Sequence, residues 1–154
     1  MADHTDVKVM IVEDNLSMRT IISTVLRSLG FSNQRFAEDG HVAFRLIPEY
    51  APDLIVTDIK MPNGDGLDFI RAVRNKFPEP FNSTPILVIT AHATERDVRE
   101  SLASGIDQFL TKPLAPKSLA QRLNVLIEEE RDFVREGDFF GPRRNAPSTA
   151  QSKP

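Results

Sequence analysis

Apolar residues fall along this chain in two alternating rhythms. Val7-Lys8-Val9-Met10-Ile11-Val12, Leu54-Ile55-Val56-Thr57 and Ile86-Leu87-Val88-Ile89 are short, nearly unbroken runs rich in β-branched side chains. Runs of that length and composition read as strands buried on both faces. Between them apolar positions return at helical spacing. Met18, Ile21, Ile22, Val25, Leu26 and Leu29 form one stripe, opened by a capping residue, Asn15, and closed by Gly30. Residues 31–36 are more polar and predict an edge strand. Val42, Ala43, Leu46 and Ile47 predict a short helix that stops at Pro48, and Leu67, Ile70, Val73, Arg74 and Phe77 a third that ends at Pro78. Thr94 caps a polar helix over residues 95–104, ended by Gly105. Phe109-Leu110 predicts a last strand. Leu119, Leu123, Leu126, Ile127, Glu130 and Val134 line a long final helix.

Five strands thus alternate with five helices. The expected class is α/β, a doubly wound, mostly parallel five-stranded sheet with right-handed crossovers and helices on both faces. After Gly137 the periodicity stops, and small and polar residues dominate. The expected organisation is one domain over residues 1–136 and a disordered or loosely docked tail over 137–154. Within that tail, Phe139-Phe140 beside Arg143-Arg144 reads either as a docking motif or as a strap folded back on the domain.

Composition narrows the function classes. The 154 residues contain no cysteine, which excludes disulfides, zinc thiolates and thiol chemistry. No apolar run approaches a membrane span and the first residues are no signal peptide, so the expected location is cytoplasmic. Net charge is −3; the tail beyond residue 136 contributes +2, leaving −5 on residues 1–136. An acidic body argues against a broad nucleic-acid surface.

The strand ends carry the chemistry. The first strand ends in Glu13-Asp14, the third in Asp58, the fourth in Thr90 and the fifth in Lys112. A parallel sheet places these tips on one edge, where open α/β folds bind ligands. Carboxylates gathered there repel, and a hard divalent cation relieves the repulsion; an all-oxygen donor set suits Mg²⁺. With Lys112 and Thr90 nearby, the edge is equipped to hold a phosphoryl group on a carboxylate.

The motifs Val9-Met10-Ile11-Val12-Glu13-Asp14, Thr57-Asp58-Ile59-Lys60-Met61-Pro62 with Gly64-Asp65-Gly66-Leu67, Ile89-Thr90-Ala91 and Phe109-Leu110-Thr111-Lys112-Pro113 occur in that order. Together they resemble a response-regulator receiver domain of two-component signalling, of the stand-alone, chemotaxis-regulator-like type, over about residues 6–135. The resemblance implies a flavodoxin-like (βα)5 fold with strand order 2-1-3-4-5, the order for which the chemotaxis receiver is itself a standard example. It implies that Asp58 is the phosphoacceptor. Asp14, Glu13, Asp58 and the backbone carbonyl of Lys60 would be the Mg²⁺ donors, Glu13 through a water. Thr90 and Phe109 would be switch residues and Lys112 the phosphate-binding lysine, before a cis Pro113. Lys60 and His92 flank the acceptor and the switch, where they could tune phosphoryl lifetime.

The implied function is a phosphorylation-activated switch, not an enzyme but a phosphoacceptor that assists its own phosphorylation and dephosphorylation. The donor would be a phosphohistidine on a sensor histidine kinase or histidine phosphotransfer protein. The output would be protein contacts on the face of the fourth helix, fifth strand and fifth helix, in a monomer that dimerises, if at all, on activation. The alternatives are an intermediate phosphotransfer carrier and a Mg²⁺-dependent phosphatase. The phosphatase would need a second acid near Asp58, where position 60 is lysine.

Overall fold

The computed structural model describes residues 4–61, 66–91, 94–128 and 131–143. A five-stranded parallel sheet is built from β1 (Lys8–Val12), β2 (Asn33–Ala37), β3 (Leu54–Thr57), β4 (Ile86–Thr90) and β5 (Gln108–Thr111), in the order β2-β1-β3-β4-β5. The helices are α1 (Leu16–Ser28), α2 (Gly40–Tyr50), α3 (Gly66–Lys76), α4 (Glu95–Ser104) and α5 (Pro116–Glu128). β1, β3 and β4 are buried almost throughout because both faces are covered. One face packs Met10, Ile55 and Val88 against α2 and α3 residues such as Ile47 and Ile70. The other packs Val9, Val56 and Leu87 against Ile22 and Leu26 of α1 and Leu119 and Leu123 of α5. None of the described helices is long and apolar enough to cross a membrane.

The structure departs from the sequence expectation at three places. The second helix does not stop at Pro48 but runs on to Tyr50 and closes at Ala51, which is left-handed at φ 54°. The extra turn is held by the buried Tyr50 ring, whose hydroxyl bonds Asn33 Oδ1 at 2.8 Å and Asn33 O at 3.0 Å. Tertiary anchoring therefore outweighs the proline. The edge strand begins at Asn33, because Phe31 is buried and stacks on His4 instead.

The third departure is at the C-terminus. The last helix ends at Glu128, and Val134 lies in a strand. β6 (Phe133–Glu136) and β7 (Phe139–Pro142) form an antiparallel hairpin that packs against α3 and α4. The boundary expected after residue 136 falls at the hairpin turn, where Gly137 has φ 61°. Residues 139–142 are thus a strand rather than loose chain. Residues 144–154 of the expected tail, including Arg144, lie outside the described residues.

The hairpin is fixed by a polar centre that no motif announced. Arg74 of α3 is fully buried, donating to Gly105 O (2.8 Å), Asn82 O (2.9 Å), Thr84 O (2.7 Å) and Asp107 Oδ1 (2.9 Å). Asp107 also pairs with Arg131, and both guanidinium groups stack on Phe133 at 4.9 Å. Arginine is suited to this because one planar fork can satisfy several acceptors at once.

Candidate functional site

The parallel register carries the C-terminal ends of β1, β3, β4 and β5 to one edge. Val12 pairs with Thr57, Thr57 with Val88, and Thr90 with Thr111. Glu13 and Asp58 are each one residue past a strand, and both are buried. Between them lies Lys112, whose Nζ is 3.1 Å from Glu13 Oε1 and 2.9 Å from Asp58 Oδ2. The structure therefore brings together three of the predicted residues from three different elements. The Lys112–Pro113 bond is cis, as the resemblance implies.

Asp58 is also fixed by its own loop. Its Oδ1 accepts the backbone N–H of Ile59 at 2.6 Å and of Lys60 at 3.2 Å. Gly66 packs directly on this loop: a Cβ there would collide with Asp58 O and fall 2.6 Å from Ile59 Cα. Gly66→Ala must move the Asp58–Ile59 backbone. The expected result is a loss of about 1–3 kcal/mol in urea unfolding, with phosphoryl uptake lowered as well.

The remaining predicted residues are placed as follows. Asp14 stands exposed next to Glu13. Thr90 ends β4, fully buried, and its carbonyl accepts the N–H of Lys112 at 2.9 Å. Phe109 lies in β5, half-buried against the α2–α3 side of the core. His92, along with Pro62, Gly64 and Asp65 of the quoted motif, lies outside the described residues. Lys60 extends its side chain to Asp97 of α4, with Nζ 3.9 Å from Oδ1. Asp97 belongs to a reciprocal capping box with Thr94, and its tie to Lys60, in the loop after Asp58, was missed from sequence. The pattern Thr94-x-x-Asp97 signals the cap but not the lysine.

Burial holds the Glu13 carboxyl above its ordinary pKa, although Lys112 and the Asn15 backbone pull the other way. For Lys112, burial lowers the pKa, but the bonds to Asp58 and Glu13 outweigh it and leave the ammonium raised. A raised folded-state pKa gives stability that is complete below the unfolded value and is lost as pH climbs through the folded value. For Glu13 that loss begins near its ordinary value of 4.5, so the buried charge weighs against folding at neutral pH. Glu13→Gln should therefore raise the denaturation midpoint of the metal-free protein at pH 7, and the gain should shrink as pH falls below that value. Chemical melts at the two pH values check this.

The described residues contain no set of three His, Cys, Asp or Glu side chains gathered closely enough to hold an ion unaided. Glu13 and Asp58 instead share one lysine across the edge. Two buried carboxylates, an exposed third beside them and the lysine ammonium make an oxygen-rich cleft suited to a hard divalent ion and an anionic group.

The chain is similar to known proteins over most of its length. A family model described as the response regulator receiver domain matches residues 9–124. The chemotaxis protein CheY-3 of Vibrio cholerae is 32% identical over 123 residues, covering 80% of this chain and 93% of that protein. The chemotaxis protein CheY of Pseudomonas aeruginosa is 35% identical over 121 residues, 79% and 96% of the two chains. Among solved structures, the receiver domain of a Pseudomonas aeruginosa sensor histidine kinase is similar, with TM-score 0.72 and 31% identity. It spans 79% of this chain and 98% of that one, and has a magnesium ion coordinated in its active-site cleft.

Proposed function

The chain belongs to the response-regulator receiver family, a phosphorylation-activated signalling module of two-component systems, and from that membership we propose that Asp58 is its phosphoacceptor. The observation that carries this reading is the Glu13–Lys112–Asp58 bridge, which fixes a buried carboxylate at a strand tip against a cation able to receive a phosphoryl oxygen.

The donor is a phosphohistidine on a kinase or phosphotransfer protein. An Asp58 carboxylate oxygen attacks phosphorus; the new P–O bond forms as the P–N bond breaks, and the imidazole nitrogen keeps the electron pair. The backbone N–H groups of Ile59 and Lys60 hold the carboxylate in place. Lys112 keeps one end on Asp58 and can follow the added charge. Glu13, Asp14, Asp58 and the Lys60 carbonyl are the residues that would hold Mg²⁺, and their oxygen chemistry fits it. When bound, the ion supplies neutralising charge to the acceptor and phosphoryl oxygens. Thr90 ends β4, the neighbour of the acceptor strand β3, and Phe109 lies on β5, the neighbour of β4; the two strands lead into α4 and α5. They are the residues through which the added charge would reshape the α4–β5–α5 face for a protein partner.

The test is exposure to acetyl phosphate with and without Mg²⁺, followed by mass spectrometry of the intact chain. One phosphoryl group per chain is expected with Mg²⁺, and none when Mg²⁺ is withheld. Steady hydrolysis of phosphomonoesters without a phospho-adduct would replace the switch reading with a phosphatase.

A further inference from the structure

The match to the receiver family ends at residue 124, before the β6–β7 hairpin. The hairpin is nonetheless built into the domain, and it meets α4 with no side chain between. A Cβ on Gly141 would lie 2.7 Å from Gly105 Cα, and a Cβ on Gly105 would lie 2.6 Å from Phe140 O. Gly105 is the left-handed C-cap of α4, at φ 104°. Arg74 holds the Gly105 carbonyl from the α3 side. Arg131 secures the hairpin root by pairing with Asp107 and donating to Ser83 O at 2.9 Å. Arg135 secures its middle, bonding Asn75 Oδ1 at 3.1 Å and stacking on Phe140.

The opposite end of α4 faces the phosphoryl site. Its N-cap box contains Asp97, which pairs with Lys60, and the Lys60 backbone donates to Asp58. α4 is therefore tied to the acceptor loop at one end and to the hairpin at the other. A backbone-on-backbone contact has no rotamer freedom with which to follow a moving helix. In this structure the hairpin meets α4 in the placement in which Lys112 is shared by Glu13 and Asp58.

We propose that the hairpin of β6 and β7 is an autoinhibitory clasp that holds α4 by its C-cap in the resting arrangement and opposes activation at Asp58. The clasp rests on the acceptor reading above. A contact that favours one state shifts the equilibrium by its differential affinity, and activation must weaken the contact by the same factor.

The test uses full-length protein with Gly141→Val, which places a branched side chain against Gly105, and Arg131→Ala, which cuts the root. Amide hydrogen exchange at residues 133–142 reports detachment. Beryllofluoride is then titrated at saturating Mg²⁺ while the Thr90 amide resonance is followed. Both variants should reach half-saturation at a beryllofluoride concentration about fivefold or more below wild type, within the usual range of allosteric coupling. In the wild type, beryllofluoride should speed exchange in β6 and β7. A detached hairpin with unchanged or higher half-saturation would overturn the clasp, as would unaltered hairpin exchange in activated wild type. No beryllofluoride response in any of the three proteins would overturn the acceptor reading, and the clasp with it.

Discussion

Asp107→Ala is expected to destabilise the protein by about 3–5 kcal/mol, the largest loss of any single substitution considered. Asp107 faces the fully buried Arg74 at 2.9 Å, with 2% of its own side chain exposed. Removing the carboxylate leaves an uncompensated guanidinium in the core, since Arg74 cannot deprotonate. Three more interactions fail with it: the pair with Arg131, the acceptor for the Ile86 N–H, and through Arg131 the root of the hairpin. The exposed pair Arg71–Asp68, at 3.1 Å, supplies the internal control. Asp68→Ala should cost no more than about 0.5 kcal/mol, because solvent already screens that pair. Urea unfolding of the two variants beside the wild type reads the difference. Similar losses would mean that the buried pair is as weak as the surface one.

Lys112→Ala acts on function more than on fold. In the metal-free protein it leaves Glu13 and Asp58 buried near each other without their shared cation. The expected cost is about 2–3 kcal/mol, from unpaired buried charge. Mg²⁺ in excess should restore much of that loss by mass action, because the vacated carboxylates become better metal donors. Phosphorylation by a small-molecule donor should persist in part, since Asp58 keeps its two backbone N–H contacts. The conformational response should be blunted, because the lysine that would follow the phosphoryl oxygen from Asp58 is gone. Thermal melts with and without Mg²⁺ read the first effect, and amide shifts in α4 on adding beryllofluoride read the second. A full α4 response in the variant would remove Lys112 from the switch.

Much of this architecture was legible in the sequence, for identifiable reasons. β1, β3 and β4 are unbroken apolar runs because helices cover both sheet faces. Glu13, Asp58 and Lys112 could be placed together because each follows a strand, and parallel strands share an edge. Thr90, Phe109 and Asp14 were located on their elements by the same logic, while their roles rest on the family resemblance. What escaped was set by long-range contacts. Val134 continues the helical stripe of α5, yet the chain leaves the helix to bring Arg131 to Asp107. The strands of the hairpin are four residues each, too short to declare themselves, and their stability comes from Arg74, Gly105 and Asn75, all more than twenty residues away in sequence. Arg74 did carry one signal, a cation on the apolar stripe of α3, whose meaning needed its partner. Pro48 misled because the Tyr50–Asn33 anchor lies across the sheet edge. The Lys60–Asp97 tie escaped because each residue had a simpler local explanation.

The proposed acceptor site lies at the N-terminal end of α4 and the proposed hairpin clasp at its C-cap. The central claim is that the strand-tip carboxylate at position 58 receives the phosphoryl group. Its most direct test is to treat wild type and Asp58→Asn with acetyl phosphate and Mg²⁺, and to measure phosphoryl incorporation per chain. The wild type should take up one group and the variant none; equal labelling of the two would contradict the account.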